Sequence, residues 1–277
     1  MFVSSVALYL FVRKSNALKT PQQLNNLAMF LIPMLVYLAL TLRLQTSFTI
    51  SPLAYFLIII QGFFFSYLGN VFSLKGIELA PNPGYSLIIS KSYVIFTAIA
   101  SVYIFSAPLT AKSMLAILLI VAFSTLVIFD NNKNRTSSNR LWLPYTIGAF
   151  FCWGFLALSS KYLLNIGVPI LTRLILTMLV VTILILVEIL IKRIQIFQIS
   201  KTQMVTLVVI GILGSIFSYF MQVAFELAPN VGYVNATNAA SISLLTLVSA
   251  FIFKDELTVR KMAGIVGVTG GLVLLFL

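Results

Sequence analysis

Long apolar runs alternate with brief polar breaks from one end of the chain to the other. A bilayer core of about 30 Å takes about 20 mostly apolar residues in a helix. The pattern predicts ten such helices, at 1–15, 24–42, 52–77, 83–105, 111–129, 141–163, 169–191, 203–227, 231–253 and 259–277. The longest polar break is 130–140. No stretch is long or polar enough for a domain outside the membrane.

The pattern also repeats. Glu78-Leu-Ala-Pro-Asn-Pro-Gly-Tyr85 returns as Glu226-Leu-Ala-Pro-Asn-Val-Gly-Tyr233, 148 positions later and identical at seven of eight places. The same offset aligns Pro21 with Pro169, Leu109-Thr110 with Leu257-Thr258 and Met114 with Met262. The chain is therefore read as two five-helix repeats, 1–129 and 141–277, joined by the loop 130–140. An odd number of spans per repeat inverts the second relative to the first. That architecture recurs in secondary transporters, with the substrate near the midplane at the repeat interface. The first span is short against its counterpart, which places Met1 within a span with roughly two turns missing; a tilted or half-inserted helix is the other reading. No cleavable leader is visible, because the apolar start lacks a basic region.

Composition agrees with the pattern. The 277 residues are 60% hydrophobic and 9% charged, with a mean hydropathy of +1.08, where a soluble domain is about 45–50% apolar and about 25% charged. The net charge of +12 lies in short clusters between the spans, so nucleic acid is not the expected partner. Arg13, Lys14, Lys19, Lys75, Lys133, Arg135, Arg140, Lys192, Arg193, Lys201, Lys254, Arg260 and Lys261 fall in the odd-numbered loops. Only Arg43, Lys112, Lys161 and Arg173 fall on the other face. By that count the odd loops are cytoplasmic and both termini outside.

There is no His and a single Cys, Cys152. No metal site, cofactor or catalytic residue is expected. A membrane enzyme is the weakest reading. The six carboxylates, Glu78, Asp130, Glu188, Glu226, Asp255 and Glu256, all lie away from mid-span. Facilitated diffusion, exchange or coupling through substrate charge is then favoured over a carboxylate relay.

The two five-helix repeats resemble the EamA-like branch of the drug/metabolite transporter superfamily over essentially the whole chain, and the second half is the better match. The resemblance rests on Leu141-Trp142, Trp153-Gly154, Lys161, Pro169 and Arg173, and on the Lys254-Asp255-Glu256-Leu257-Thr258 corner before a last helix with Gly264, Gly267, Gly270 and Gly271. The first half keeps the outline, with Ala107-Pro108 in place of Asp255-Glu256 and Asn25 in place of Arg173. The resemblance implies an all-α integral membrane transporter of ten helices in the plasma (inner) membrane, moving amino acids or metabolites, often outward. It also implies cytoplasmic termini, against the charge count; inverted repeats accommodate either orientation. A lipid or lipid-precursor flippase subunit is the main alternative. Small residues on the fifth and tenth helices suit a homodimer interface or packing within the bundle.

Several polar residues lie inside spans, where an unsatisfied group is costly. Lys91, in Ser90-Lys91-Ser92-Tyr93, has no carboxylate at its depth. It is read either as a cation holding a substrate carboxylate or phosphate, or as a side chain snorkelling to the interface. The nucleotide-sugar and triose-phosphate branches carry a similarly placed Lys. Asn235, Asn238 and Ser241 recur every three residues and form a candidate lining stripe. Gln61, Ser66 and Asn70 on the third span, and Ser215, Ser218, Tyr219 and Gln222 on the eighth, are further candidates, and Trp153 lines a cavity or packs. The proposed substrate set is Lys91, Ser90, Tyr93, Asn70, Tyr219, Gln222, Asn235, Asn238, Ser241 and Trp153. Arg173, near a helix start, is read as interfacial or structural. In the octapeptides, Pro81 and Pro229 end a helix and Gly84 and Gly232 let the chain reverse. The two hairpins, Pro81, Gly84 and Tyr85 with Pro229, Gly232 and Tyr233, are read as gates on opposite faces. The expected partners are a small solute and the lipid bilayer.

Overall fold

A computed structural model describes residues 1–80, 83–128, 141–196, 198–254 and 256–277. The linking loop 130–140, Pro81 and Asp255 lie outside them. Among the described residues every regular element is a helix, with no strand. Among the described residues, nine helices are long and apolar enough to cross a membrane. Large apolar side chains such as Leu42, Leu190, Phe251 and Val259 remain on the outside. Such a surface suits lipid, and helices close their own backbone hydrogen bonds there. The protein is a multi-pass integral membrane protein.

The first span is α1 (Phe2–Ala17), too short at 16 residues to join those nine. The second is α2 (Gln22–Leu44). The third is compound: α3 (Pro52–Ile60), a π-helix over Gln61–Leu68 and α4 (Gly69–Leu79). The fourth is also divided, into α5 (Pro83–Lys91) and α6 (Tyr93–Phe105), with Ser92 between them. One helix each forms the rest: α7 (Ala111–Ile128), α8 (Trp142–Asn165), α9 (Ile170–Ile191), α10 (Lys201–Leu227), α11 (Val231–Phe253) and α12 (Val259–Phe276).

Local chemistry sets the helix ends. The Ser51 hydroxyl accepts from the Ala54 amide and Pro52 opens α3, where its missing N–H costs nothing. Thr258 caps α12 in the same way through the Lys261 amide. Gly84 and Gly232 are the second residues of α5 and α11. Among described glycines only Gly167 has a positive φ, +83°. The expectation that Gly84 and Gly232 supply the turn is therefore corrected: helical backbone needs no left-handed residue there, and at Gly232 the requirement is a close approach to another helix.

The described chain divides into two compact units. The first comprises Met1–Phe63 and Tyr162–Glu226, the second Phe64–Lys161 and Leu227–Leu277. Each unit takes segments from both sequence halves. In the first, α2 packs along α9, with Tyr37, Leu171, Leu174, Ile175 and Met178 forming a core. Gly211 of α10 admits Ile32 of α2. In the second, α12 packs along α7, and α11 packs on both α6 and α7. Gly264, Gly267 and Gly271 form the seam of α12: a Cβ at these positions would strike Val127, Phe123 and Ile120 of α7. Without a hydrophobic drive between helices in lipid, such close backbone approach is what holds them together.

Candidate functional site

Each unit contains a polar cluster inside a span. In the first unit it starts at Gln61, the first residue of the π-helix. Gln61 is fully buried. Its Oε1 accepts from Arg173 Nη1 at 2.9 Å and from Thr177 Oγ1 at 3.1 Å. Arg173 and Thr177 are one turn apart on α9, so they reach the same acceptor. Arg173 is itself only 2% exposed, and the interfacial placement is corrected. The start of α9 is covered: Thr172 Oγ1 donates to the Ser47 carbonyl at 2.8 Å, and Val168 and Leu171 are buried. The Tyr37 hydroxyl donates to the Ser215 carbonyl. Of the predicted substrate set, this unit holds Tyr219 and Gln222. Tyr219 is exposed beside Phe220. Gln222 is buried, with no hydrogen-bond partner for Oε1 among the described residues.

The other eight predicted residues belong to the second unit. Lys91 is the last residue of α5. Ser92 then adopts ψ −5°, and its amide is shared between the Ile88 and Ile89 carbonyls at 3.1 and 3.2 Å. Lys91 thus stands in the last turn of α5, where a positive charge is the favourable sign. Lys91 is half-buried and lines a pocket with Ile88, also from α5. Val121, Ser124, Thr125 and Ile128 of α7 and Ala239 and Ile242 of α11 complete the lining. Lys91 Nζ has no hydrogen bond or ion pair to a described residue. The Ser90 hydroxyl donates to the Leu87 carbonyl at 3.2 Å, and Tyr93 is buried at the start of α6.

The Asn235–Asn238–Ser241 stripe divides. Asn235 is fully buried and donates from Nδ2 to Thr97 Oγ1 of α6 at 3.0 Å, with its Oδ1 unpartnered among the described residues. Asn238 is half-buried, and its carbonyl accepts from Ser241 Oγ at 2.7 Å. So the stripe begins as a bond between helices and turns toward the pocket at Ala239. Asn70 and Trp153 are half-buried; Trp153 and Cys152 pack over Gly69.

The second octapeptide is a built turn. The Asn230 side chain accepts from the Gly232 amide at 2.8 Å, and its Nδ2 donates to the Ala98 carbonyl at 3.1 Å. Tyr233 Oη donates to the Pro108 carbonyl at 3.0 Å, and Lys161 Nζ to the Ala228 carbonyl at 3.1 Å. A Cβ on Gly232 would strike Ala98. Asn230 and Lys161 are the residues the sequence reading missed in this role. Asn directly before an apolar helical run is a cap signal, whereas nothing local marks Lys161.

Residues 140–277 match the model of the EamA-like transporter family. The second half of this chain is an EamA-like domain. One solved structure, described only as the crystal structure of a protein, matches with a TM-score of 0.81 at 14% identity, over 99% of this chain and 94% of that one. At that identity the likeness concerns the fold. No curated protein matches in sequence. EamA-like proteins are membrane transporters of the drug/metabolite superfamily, and the match to them covers the second half of this chain.

Proposed function

We propose that this protein is a secondary transporter that moves small organic solutes, amino acids or metabolites with a carboxylate or phosphate foremost, across the plasma membrane by alternating access. The observation that carries this reading is the interruption of two spans within the membrane. The third runs through a π-helix at Gln61–Leu68 and the fourth breaks at Ser92. Interrupted helices are where transporters free backbone and polar side chains for substrate, and π-turns concentrate at functional positions.

The pairing of helices supports an inverted-repeat origin. The equivalents in the two halves pack on each other: α2 on α9, α6 on α11 and α7 on α12. A pseudo-two-fold relation produces such pairs.

In this reading Lys91 receives the anionic group of the solute, and Ser90, Tyr93, Asn238 and Ser241 supply hydrogen bonds near it. Asn70, Trp153, Tyr219, Gln222 and Asn235 complete the proposed set. The two hairpins act as gates, the second moving together with Ala98 and Pro108, to which Asn230 and Tyr233 fasten it.

Purified protein in liposomes, assayed for uptake over a panel of amino acids, organic acids and phosphate esters, tests this. Wild type should carry at least one class. Lys91→Ala should depress the anionic members by about tenfold or more, one charge contact in a poorly hydrated site being worth at least about 1.4 kcal/mol. Uptake of every anion undiminished in Lys91→Ala rejects the cationic site. Unchanged uptake after each hairpin is cross-linked to the helix ends beside it rejects the gates.

A further inference from the structure

We propose that the corner of the first unit where the α1–α2 and α9–α10 turns meet binds an anionic phospholipid, its phosphate at Lys19, Arg193 and Lys201 and its acyl chains along α9 and α10. Lys91 and the transport reading play no part in it.

Two hydrogen bonds join these turns. Gln203 Nε2 donates to the Leu18 carbonyl at 3.0 Å, and Gln23 Nε2 donates to Glu188 Oε1 at 3.1 Å. Lys19 follows Leu18 directly, Lys201 stands two positions before Gln203, and Arg193 comes just over a turn after Glu188. Glu188 is the only carboxylate in the segments 13–23 and 186–204. It is already engaged by Gln23 and by Lys192, whose Nζ lies at 2.6 Å. Lys19, Arg193 and Lys201 are exposed, and their side chains have no ion pair or hydrogen bond to a described residue.

Local backbone chemistry does not ask for these three cations. Helices α1 and α9 end in the same turn. At α1 the Lys19 amide donates to the Asn16 carbonyl at 2.9 Å and the Thr20 amide to the Ser15 carbonyl at 3.1 Å. At α9 the Arg193 amide donates to the Leu190 carbonyl at 3.2 Å and the Ile194 amide to the Ile189 carbonyl at 3.1 Å. The turn sets φ at +56° for Lys19 and +51° for Arg193, a position where Gly is the ordinary residue because a Cβ is strained there. The α8–α9 connection, at the opposite end of α9, makes the same turn with the expected glycine: Gly167, φ +83°. The positive charge that a helix C-terminus favours is already supplied by Lys14 and Lys192. Lys201 is the first residue of α10, the end at which the dipole opposes a cation. An anion from outside the chain compensates all three.

Apolar side chains adjoin the cations. Leu190 and Ile191 precede Lys192, Met204 and Val205 lie a turn beyond Lys201, and all four are exposed. A phosphate held at the cations therefore continues into apolar surface. Basic clusters at the ends of spans attract anionic headgroups in this way.

The test is native mass spectrometry of the full chain released from dodecyl maltoside micelles, titrated with dioleoyl phosphatidylglycerol or with dioleoyl phosphatidylcholine. Phosphatidylglycerol should bind with an apparent Kd at least about tenfold lower, one cation at a lipid surface being worth about fivefold. Lys201→Gln should weaken its binding about fivefold, and Lys19→Gly/Arg193→Gly at least about tenfold. The glycine variant should still fold and melt close to the wild type, because glycine suits a positive φ. Gln45→Gly, a neutral residue at φ +52°, should leave binding within about twofold, since no charge is lost. The same holds for Lys254→Gly/Arg260→Gln/Lys261→Gln, which removes three charges from a different loop. sn-Glycerol 3-phosphate in about hundredfold excess should not displace the lipid, because it lacks the chains.

Equal retention of the two lipids overturns the proposal. So does undiminished phosphatidylglycerol binding in both Lys201→Gln and Lys19→Gly/Arg193→Gly. An equal loss in the Lys254 triple variant reduces the effect to net charge and removes the site. Displacement by sn-glycerol 3-phosphate makes the ligand a soluble phosphate and also rejects the lipid. None of these outcomes bears on solute uptake or its response to Lys91→Ala, so either reading can fail while the other stands.

Discussion

At the scale of single residues, the Gln61–Arg173 contact decides between the two roles read for Arg173, interfacial or structural, in favour of the structural one. Arg173 lies four positions after Pro169, where a helix start ordinarily meets the membrane surface. It is instead buried and bonded to Gln61 of the third span, and the neighbouring Thr172 hydroxyl donates to the Ser47 carbonyl between α2 and α3. A cover supplied by residues more than a hundred positions away leaves no trace in local hydropathy. A hydrogen bond to a charged group contributes about 1.5–3 kcal/mol. Gln61→Leu keeps the volume and removes the acceptor, so thermal unfolding in detergent should shift down by that order, with Gln61→Glu nearer wild type. A Gln61→Leu melting curve that overlays the wild type contradicts the arrangement. Gly232 makes a second case. Its Cβ would fall on Ala98, and overpacking of this sort costs about 1–3 kcal/mol. Gly232→Ala should therefore destabilise, and Ala98→Gly should recover part of the loss.

At the scale of elements, nine of the ten apolar runs return as helices long enough to span, and the tenth as the short α1. Hydropathy reports the length of a span, so existence and order were legible. It does not report hydrogen-bond register. The shift from α to π over Gln61–Leu68 changes the angular step too little, over too few residues, to alter an apolar pattern. The break at Ser92 was half visible, since Ser90-Lys91-Ser92 is the most polar triplet inside the fourth span. Pocket residues on α7 were not visible, because Ser124 and Thr125 read as ordinary small polar residues until α5 and α11 stand beside them. If the π-helix serves transport rather than folding, deleting the exposed Phe64 should return the span to α geometry. Melting temperature should then hold or rise while uptake in liposomes is lost; retained uptake would make the π-helix incidental. The Asn230 turn is predicted to behave in the opposite sense. Asn230→Ala removes a helix cap worth about 1 kcal/mol, and with it the donors to Ala98 and Pro108, so stability and uptake should fall together.

At the scale of the whole molecule, topology joins the repeat to the charge distribution. Ten spans in two halves of five place the loop at Ser47 and the loop at Ser106 on one face, and those at Asn16 and Ser200 on the other. In a Cys152→Ser background, single cysteines at these four sites can be labelled with a membrane-impermeant maleimide in intact cells and again after lysis. The expected result is an all-or-none partition: Ser47→Cys and Ser106→Cys react together, and Asn16→Cys and Ser200→Cys react only in the other condition. One member of a pair labelling with the opposite pair would remove a span from the count and end the inverted-repeat reading, because four or six spans per half would leave the halves parallel. The face that reacts in intact cells decides the orientation. The excess of Lys and Arg in the odd loops predicts that Ser47 and Ser106 face outward, whereas cytoplasmic termini, as the EamA-like resemblance implies, require Asn16 and Ser200 to do so. In the second case the basic loops have been translocated against their charge, and moving Lys or Arg from the Lys192–Lys201 loop to the Ser106 turn should then stabilise the native orientation instead of opposing it.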